Sequence, residues 1–256
     1  MKLKTPFTSR KWISSVALAF FACAPLACAS NSEEPADMET DPEVESTSDA
    51  IIGGRAATET YSFMVSLSNG CGGALVTPQW IVTANHCGSA SSGRVGSIRK
   101  TSGGEPIRID RRVTKPGTDL TLMHITAPVQ AAPIKMAETA PTAGTRARLI
   151  GFGCTSWPRC TQPSILQEID LSVLDPSRCR AGGGTSIDVC ISGDRTHSAC
   201  HGDSGGPAIT GSTGNWTLVG ETHGPGDNNG ECATTTLYTG IAGHLPWIRQ
   251  QIGSGI

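Results

Sequence analysis

Gly202-Asp203-Ser204-Gly205-Gly206-Pro207, with Cys200 just ahead, sets a serine hydroxyl in a run of small, turn-forming residues. A serine hydroxyl is a weak nucleophile on its own. It needs a base to take its proton and donors to hold the oxyanion that its attack creates. The glycines permit a tight turn in which the N–H groups of Gly202 and Ser204 converge on one point, and they leave a substrate carbonyl room to approach. The same residues could form a turn-rich surface loop, so their partners decide between the two. Upstream, Trp80-Ile81-Val82-Thr83-Ala84-Asn85-His86-Cys87 is an apolar run ending in a histidine beside a cysteine. Between them, Asp119-Leu120-Thr121-Leu122-Met123 puts a carboxylate at the head of another apolar stretch. A histidine base oriented by a carboxylate would complete an acyl-transfer centre with Ser204. Asp110 competes for the carboxylate role, but beside Arg108, Arg111 and Arg112 it reads as part of a solvated charged strand.

Histidine, aspartate and serine in that chain order resemble the chymotrypsin/trypsin family of serine endopeptidases. Ile51-Ile52-Gly53-Gly54, Cys71-Gly72-Gly73-Ala74-Leu75 and Leu245-Pro246-Trp247-Ile248 add to the likeness, which spans Ile51 to Ile252. The resemblance implies two six-stranded antiparallel β-barrels with a short C-terminal helix and a catalytic groove between the barrels. It implies Ser204 as nucleophile, His86 as general base and then acid, and Asp119 as the group that fixes the imidazole tautomer. The oxyanion donors would be Gly202 and Ser204. Cleavage before Ile51 would free an ammonium to pair with Asp203, although Ala50 stands where trypsin-like precursors carry Arg or Lys. Ser198, His201 and Thr236 would form the substrate pocket. Ser198 replaces the aspartate of trypsin-like pockets, and Thr236 replaces a wall glycine as in elastase, so small or medium aliphatic residues are the expected cleavage sites. Self-activation at Ala50 then becomes plausible.

Two alternatives stand beside this reading. Gly202-x-Ser204-x-Gly206 also fits the nucleophile elbow of α/β-hydrolases, but that fold orders its triad serine, acid, histidine. Here the acid and base both precede the serine, and only 52 residues follow it. A non-catalytic protease homologue acting as a binding protein is the second alternative. Such homologues lose a triad member, whereas all three are present. The chain departs from the family in two places. Thr222-His223-Gly224-Pro225 stands where Ser-Trp-Gly is usual, and Pro225 has no N–H for a ladder bond. Asn85 replaces an alanine beside His86.

The elements that must position these groups are short. From Ile51 on, segments such as Phe63–Leu67, Gly73–Val76 and Leu218–Gly220 alternate with Gly, Pro, Ser and Thr clusters, as in an all-β domain. A short helix is expected around Pro246 to Ile252. Ahead of this domain, Lys2, Lys4, Arg10 and Lys11 precede an apolar stretch from Ile13 to Leu26 and Ala27-Cys28-Ala29, which reads as an export signal over residues 1–29. Leu26-Ala27-Cys28 partly matches a bacterial lipobox, so lipid attachment at Cys28 is the second possibility.

Residues 30–50 carry eight acidic side chains and no basic one, with too few apolar groups to fold: a disordered pro-segment. Setting aside those eight acids and the four basic residues of the leader leaves 16 basic and 14 acidic residues over 51–256. That balance gives no basic stripe for nucleic acid. Ten cysteines in an exported chain point to disulfides, eight of them in the mature part. The family resemblance implies Cys71–Cys87, Cys179–Cys190 and Cys200–Cys232, and leaves Cys154 with Cys160. A zinc site at Cys200, His197 and His201 is the competing use of those residues. The expected product is an extracellular monomeric protease acting on protein or peptide substrates, with proteinaceous inhibitors as further partners and no cofactor.

Overall fold

The structure, a computed structural model, describes residues 51–227, 229–232 and 234–253. The leader, Cys28 and the acidic segment lie outside the described residues.

The apolar runs become strands of two closed barrels. In the first, β2 (Met64–Leu67), β3 (Gly72–Thr77), β4 (Trp80–Ala84), β5 (Ser92–Val95), β6 (Glu105–Thr114) and β7 (Leu120–Ile125) follow the order β2-β3-β4-β7-β6-β5, and β5 pairs back onto β2. β4 and most of β7 are buried, as β-branched and aliphatic runs with no polar face require. β6 is the opposite case, with Arg108, Arg111 and Arg112 exposed.

The second barrel closes β9 (Arg146–Gly151), β10 (Gln167–Leu174), β11 (Val189–Ile191), β14 (Thr236–Gly240), β13 (Asn215–Pro225) and β12 (Pro207–Ser212) back onto β9. Two short strands are appended. β1 (Arg55–Ala56) pairs with β10, and β8 (Lys135–Met136) runs parallel to β13.

The helix α1 spans Ile241–Ile252, starting five residues before the expected point and carrying Pro246 inside it. Proline lacks the N–H for the i−4 bond and costs about 3 kcal/mol in a helix interior. Burial of Ile241, His244, Leu245 and Ile248, spaced i, i+3, i+4, i+7, offsets that cost. Four disulfides join Cys71 to Cys87, Cys154 to Cys160, Cys179 to Cys190 and Cys200 to Cys232. Cys200 therefore has no thiolate for a zinc ion.

The residues after Ile51 are tied to the second barrel by one buried acid. Glu168, on β10, accepts from Arg55, from the backbone and hydroxyl of Thr58, and from the Tyr61 hydroxyl at 2.5 Å. Burial pushes its carboxyl up, but these donors and Arg148 together hold it below the usual range.

Candidate active site

His86 and Asp119 meet because of strand register. β4 and β7 pair antiparallel with Ala84 opposite Leu120, so the residues just past one and just before the other are neighbours. The Asn85 N–H donates to the Asp119 carbonyl at 3.2 Å. Asp119 then receives His86 twice: its Oδ1 accepts from the backbone N–H and its Oδ2 from Nδ1, each at 2.7 Å. A carboxylate only accepts, so Nδ1 carries the proton and Nε2 is left with a lone pair. The Cys71–Cys87 bridge anchors the turn from the other side. Asn85 has work of its own. Its Oδ1 accepts from Arg112 and from the Thr114 hydroxyl, tying the histidine turn to β6.

Asp110 has a different partner. Its Oδ1 lies 2.7 Å from Nδ1 of His124, whose ring packs edge-on against Trp80.

Ser204 sits in a turn braced by both barrels. The Asp203 N–H donates to the Cys200 carbonyl at 3.0 Å, and the Gly206 N–H to that of Asp203 at 2.8 Å. From the first barrel, the Gly72 N–H donates to the Ser204 carbonyl at 2.8 Å. Gly202 has φ +96° and Gly205 φ +72°, conformations that other residues rarely adopt. A side chain at 205 would also strike the Thr83 hydroxyl and the Gly72 carbonyl. Among the described residues, the N–H groups of Gly202 and Ser204 donate to no protein acceptor, which leaves both free for an oxyanion.

His86 and Ser204 line one cleft of about 260 Å³. Ser198, His201 and Thr236 line it too, so it brings His86 and Ser204 together with all three predicted pocket residues. The sequence reading did not anticipate Thr222, Thr234 and Thr235, which make the wall largely hydroxyl-bearing. His223 also borders the cleft. Its Nε2 is 3.9 Å from Asp119 Oδ2 and its ring centroid 6.5 Å from that of His86. β13 reaches Pro225 despite the missing N–H, because a register shift between Thr222 and Gly224 moves the pairing across His223.

Three comparisons bear on this geometry. The family model described as Trypsin matches residues 51–248. The chain belongs to the trypsin family. It is 33% identical over 199 residues to human kallikrein-12, covering 70% of this chain and 79% of that one. It is 28% identical over 232 residues to pig trypsin, covering 80% of this chain and 97% of that protein. Among solved structures it is similar to neuropsin, a serine protease expressed in the limbic system of mouse brain, with TM-score 0.70 and 25% identity over 78% of this chain and 99% of that one. The chain is thus a trypsin-family serine endopeptidase, a hydrolase.

Two buried acids complete the site. Asp203 is 3% exposed; its Oδ1 accepts from Gly153 N–H and its Oδ2 from Cys200 N–H, each at 2.9 Å. Burial pushes its carboxyl up to about 7, against those two bonds and the charge of Lys100, which pull it down. Beside it, Ile52 bridges Ser198 as a strand pair, and Ile51 is 1% exposed and packed with Ala199. Glu221, on β13, is fully buried; among the described residues no well-formed hydrogen bond reaches its oxygens or the Thr239 hydroxyl, although Thr239 lies close enough to pull its carboxyl down. Burial and then the Asp119 charge push Glu221 well above the usual carboxylic range, which favours its neutral form. The one sequence signal for it was a lone charge inside an apolar strand.

Proposed function

We propose that this trypsin-family chain is an exported serine endopeptidase that cleaves after small or medium aliphatic residues, Ala or Val, and becomes active when cut before Ile51. Residues 1–29 serve as the export signal, 30–50 as the pro-segment and 51–256 as the catalytic domain. His86 takes the Ser204 proton as the hydroxyl oxygen attacks the scissile carbonyl carbon. The carbonyl oxygen gains its negative charge facing the N–H groups of Gly202 and Ser204. Asp119 stabilises the imidazolium, which passes its proton to the leaving amine. Water then repeats the sequence on the acyl-enzyme.

The observation that carries this reading is the double hold of Asp119 on His86, at 2.7 Å each, with Ser204 on the same cleft. The pocket supports the specificity. Ser198, a neutral residue, and Thr236, on β14, both line the cleft, at positions where the resemblance expects an aspartate in trypsin-like pockets and a glycine in longer ones. Ala50 is itself a fitting residue to cut after.

The test is covalent labelling by an organophosphonate, expected in the processed chain and abolished in Ser204→Ala. Turnover of peptide amides with Ala, Val, Phe and Arg before the cut then ranks the pocket. Absent labelling would favour a non-catalytic binding protein, and equal turnover of Arg and Ala peptides would overturn the pocket assignment.

A further inference from the structure

A lysine to which the reading so far gives no task reaches the Ser204 turn through Gln162. Before cleavage the Ile51 nitrogen is a peptide amide without charge, so the buried Asp203 must draw support from elsewhere. Among the described residues, Lys100 is the cation whose charge acts on Asp203. Lys100 lies in the link between β5 and β6 of the first barrel, yet that link is stitched to the second. Its N–H donates to the Ser164 carbonyl at 2.9 Å, Arg99 bridges Ile165, and the Leu166 N–H donates to Ile98 at 2.7 Å. The Lys100 Nζ donates to Gln162 Oε1 at 2.9 Å. The other end of that amide, Nε2, packs on Gly202 so closely that any side chain there would strike it. Contact therefore runs unbroken from the ammonium through Gln162 to the residue beside Asp203. Burial pushes the Lys100 ammonium below the usual lysine range, and the Asp203 charge pulls it back.

We infer that Lys100 is a positioning residue for the oxyanion turn, a resident cation that steadies Asp203 and Gly202 in the uncut chain. This rests on the hydrolase reading above and extends it. Lys100 gives the precursor a fraction of working oxyanion holes, enough for one copy to make the first cut after Ala50 in another. In the processed enzyme the Ile51 ammonium takes over and Lys100 becomes dispensable.

The experiment uses the full chain with Ala50→Pro, which removes the N–H that the residue before the cut offers to a protease and keeps the precursor intact. Organophosphonate labelling of this precursor is compared with its Lys100→Met and Lys100→Arg forms, and with each form processed to begin at Ile51. The parent precursor should label slowly but measurably, and Lys100→Met should slow it by about tenfold or more, the order expected when an oxyanion donor is misplaced. Lys100→Arg should restore most of the rate, and the processed forms should differ by less than about threefold, within the small effect of a surface change. Equal labelling of parent and Lys100→Met precursors would overturn the inference. So would a precursor that does not label, an arginine form no better than methionine, or an equal loss in processed enzyme, which would mark a merely structural role. A processed parent that fails to label would instead bring down the hydrolase reading beneath it.

Discussion

Asp203→Asn in the processed enzyme is the sharpest perturbation of the site. Burial lifts the carboxyl from 3.8 to about 7 while the chain supplies two N–H donors and the Lys100 charge. At about 1.4 kcal/mol for each tenfold change in the protonation equilibrium, that rise amounts to about 4 kcal/mol against the ionised form. The sign follows. The neutral acid is favoured in the folded chain, so its contribution to stability is whole below pH 3.8 and is lost as pH rises toward about 7. A precursor at neutral pH therefore has an oxyanion turn close to an unfavourable charge state. On the proposed activation, an inserted Ile51 ammonium would offset the cost, since breaking a buried pair of this kind is worth about 3–5 kcal/mol.

Asparagine removes the charge and cannot accept from both Gly153 and Cys200, because its amide nitrogen only donates. The orphaned donor adds about 1–3 kcal/mol. Together these lower the population of the working turn by about 10³-fold or more. Because the population of competent enzyme falls, kcat/KM on an alanine peptide amide should drop by about that factor. The assay needs N-terminal sequencing to confirm that both forms begin at Ile51, and active-site titration to count working molecules. A loss under about tenfold with the N-terminus confirmed would refute the electrostatic account of activation.

Three further outcomes follow from the same structure. Thr236→Gly should open the pocket wall and shift turnover from Ala toward Phe peptides by about tenfold or more, as a pocket change of 1–3 kcal/mol allows; an unchanged ranking in the peptide panel would remove Thr236 from the pocket. Glu168→Ala should cost about 1–3 kcal/mol or more in urea unfolding, since it orphans the buried Tyr61 hydroxyl and the Thr58 donors, while Arg148 keeps Asp170 and Arg55 is largely exposed. Because the folded carboxyl is held below its ordinary 4.5, the difference should be full above that pH and shrink as pH falls through the folded value. Glu221→Gln should raise Tm at pH 8 by about 2–4 °C for each kcal/mol of relieved cost and leave it unchanged at pH 4, because a raised carboxyl loses stability only as pH climbs above 4.5.

What was readable in the sequence had local causes. Ser204 announced itself through glycines that no ordinary strand or helix would hold, and His86 through a buried run closed by a cysteine. The strand runs of β3, β4 and β13 were legible for the same reason: each carries its own apolar pattern. Asp119 is preferred to Asp110 because the arginines around Asp110 mark solvent exposure; in the structure Asp119 meets His86 and Asp110 meets His124. What was not readable depends on distant pairing. Pro246 looks like a helix boundary until Ile241 and Leu245 are seen to be buried. Lys100 is an ordinary charge until residues 98–100 are stitched to 164–166. The threonine wall emerges only when β13 and β14 are paired in register.

Glu221 is the residue on which the electrostatics of the triad turn. Two carboxyls are buried at or near the site and Asp119 is half-buried beside them, and the fold treats the three differently. Asp119 is 9% exposed at its side chain and has the His86 ring to stabilise when that ring takes a proton. Asp203 accepts from the N–H groups of Gly153 and Cys200. Glu221 interacts with two acids, Asp119 and Asp188, and has no cation of its own among the described residues. Were it ionised, its charge would oppose that of Asp119 across a dry interior, where like charges are strongly destabilising. Kept neutral, it leaves Asp119 as the negative charge that the His86 imidazolium meets. The strand tolerates a carboxylic acid beside Asp119 most easily on one condition, that it is protonated. The rise in Tm of Glu221→Gln between pH 4 and pH 8 measures how hard that condition is to meet.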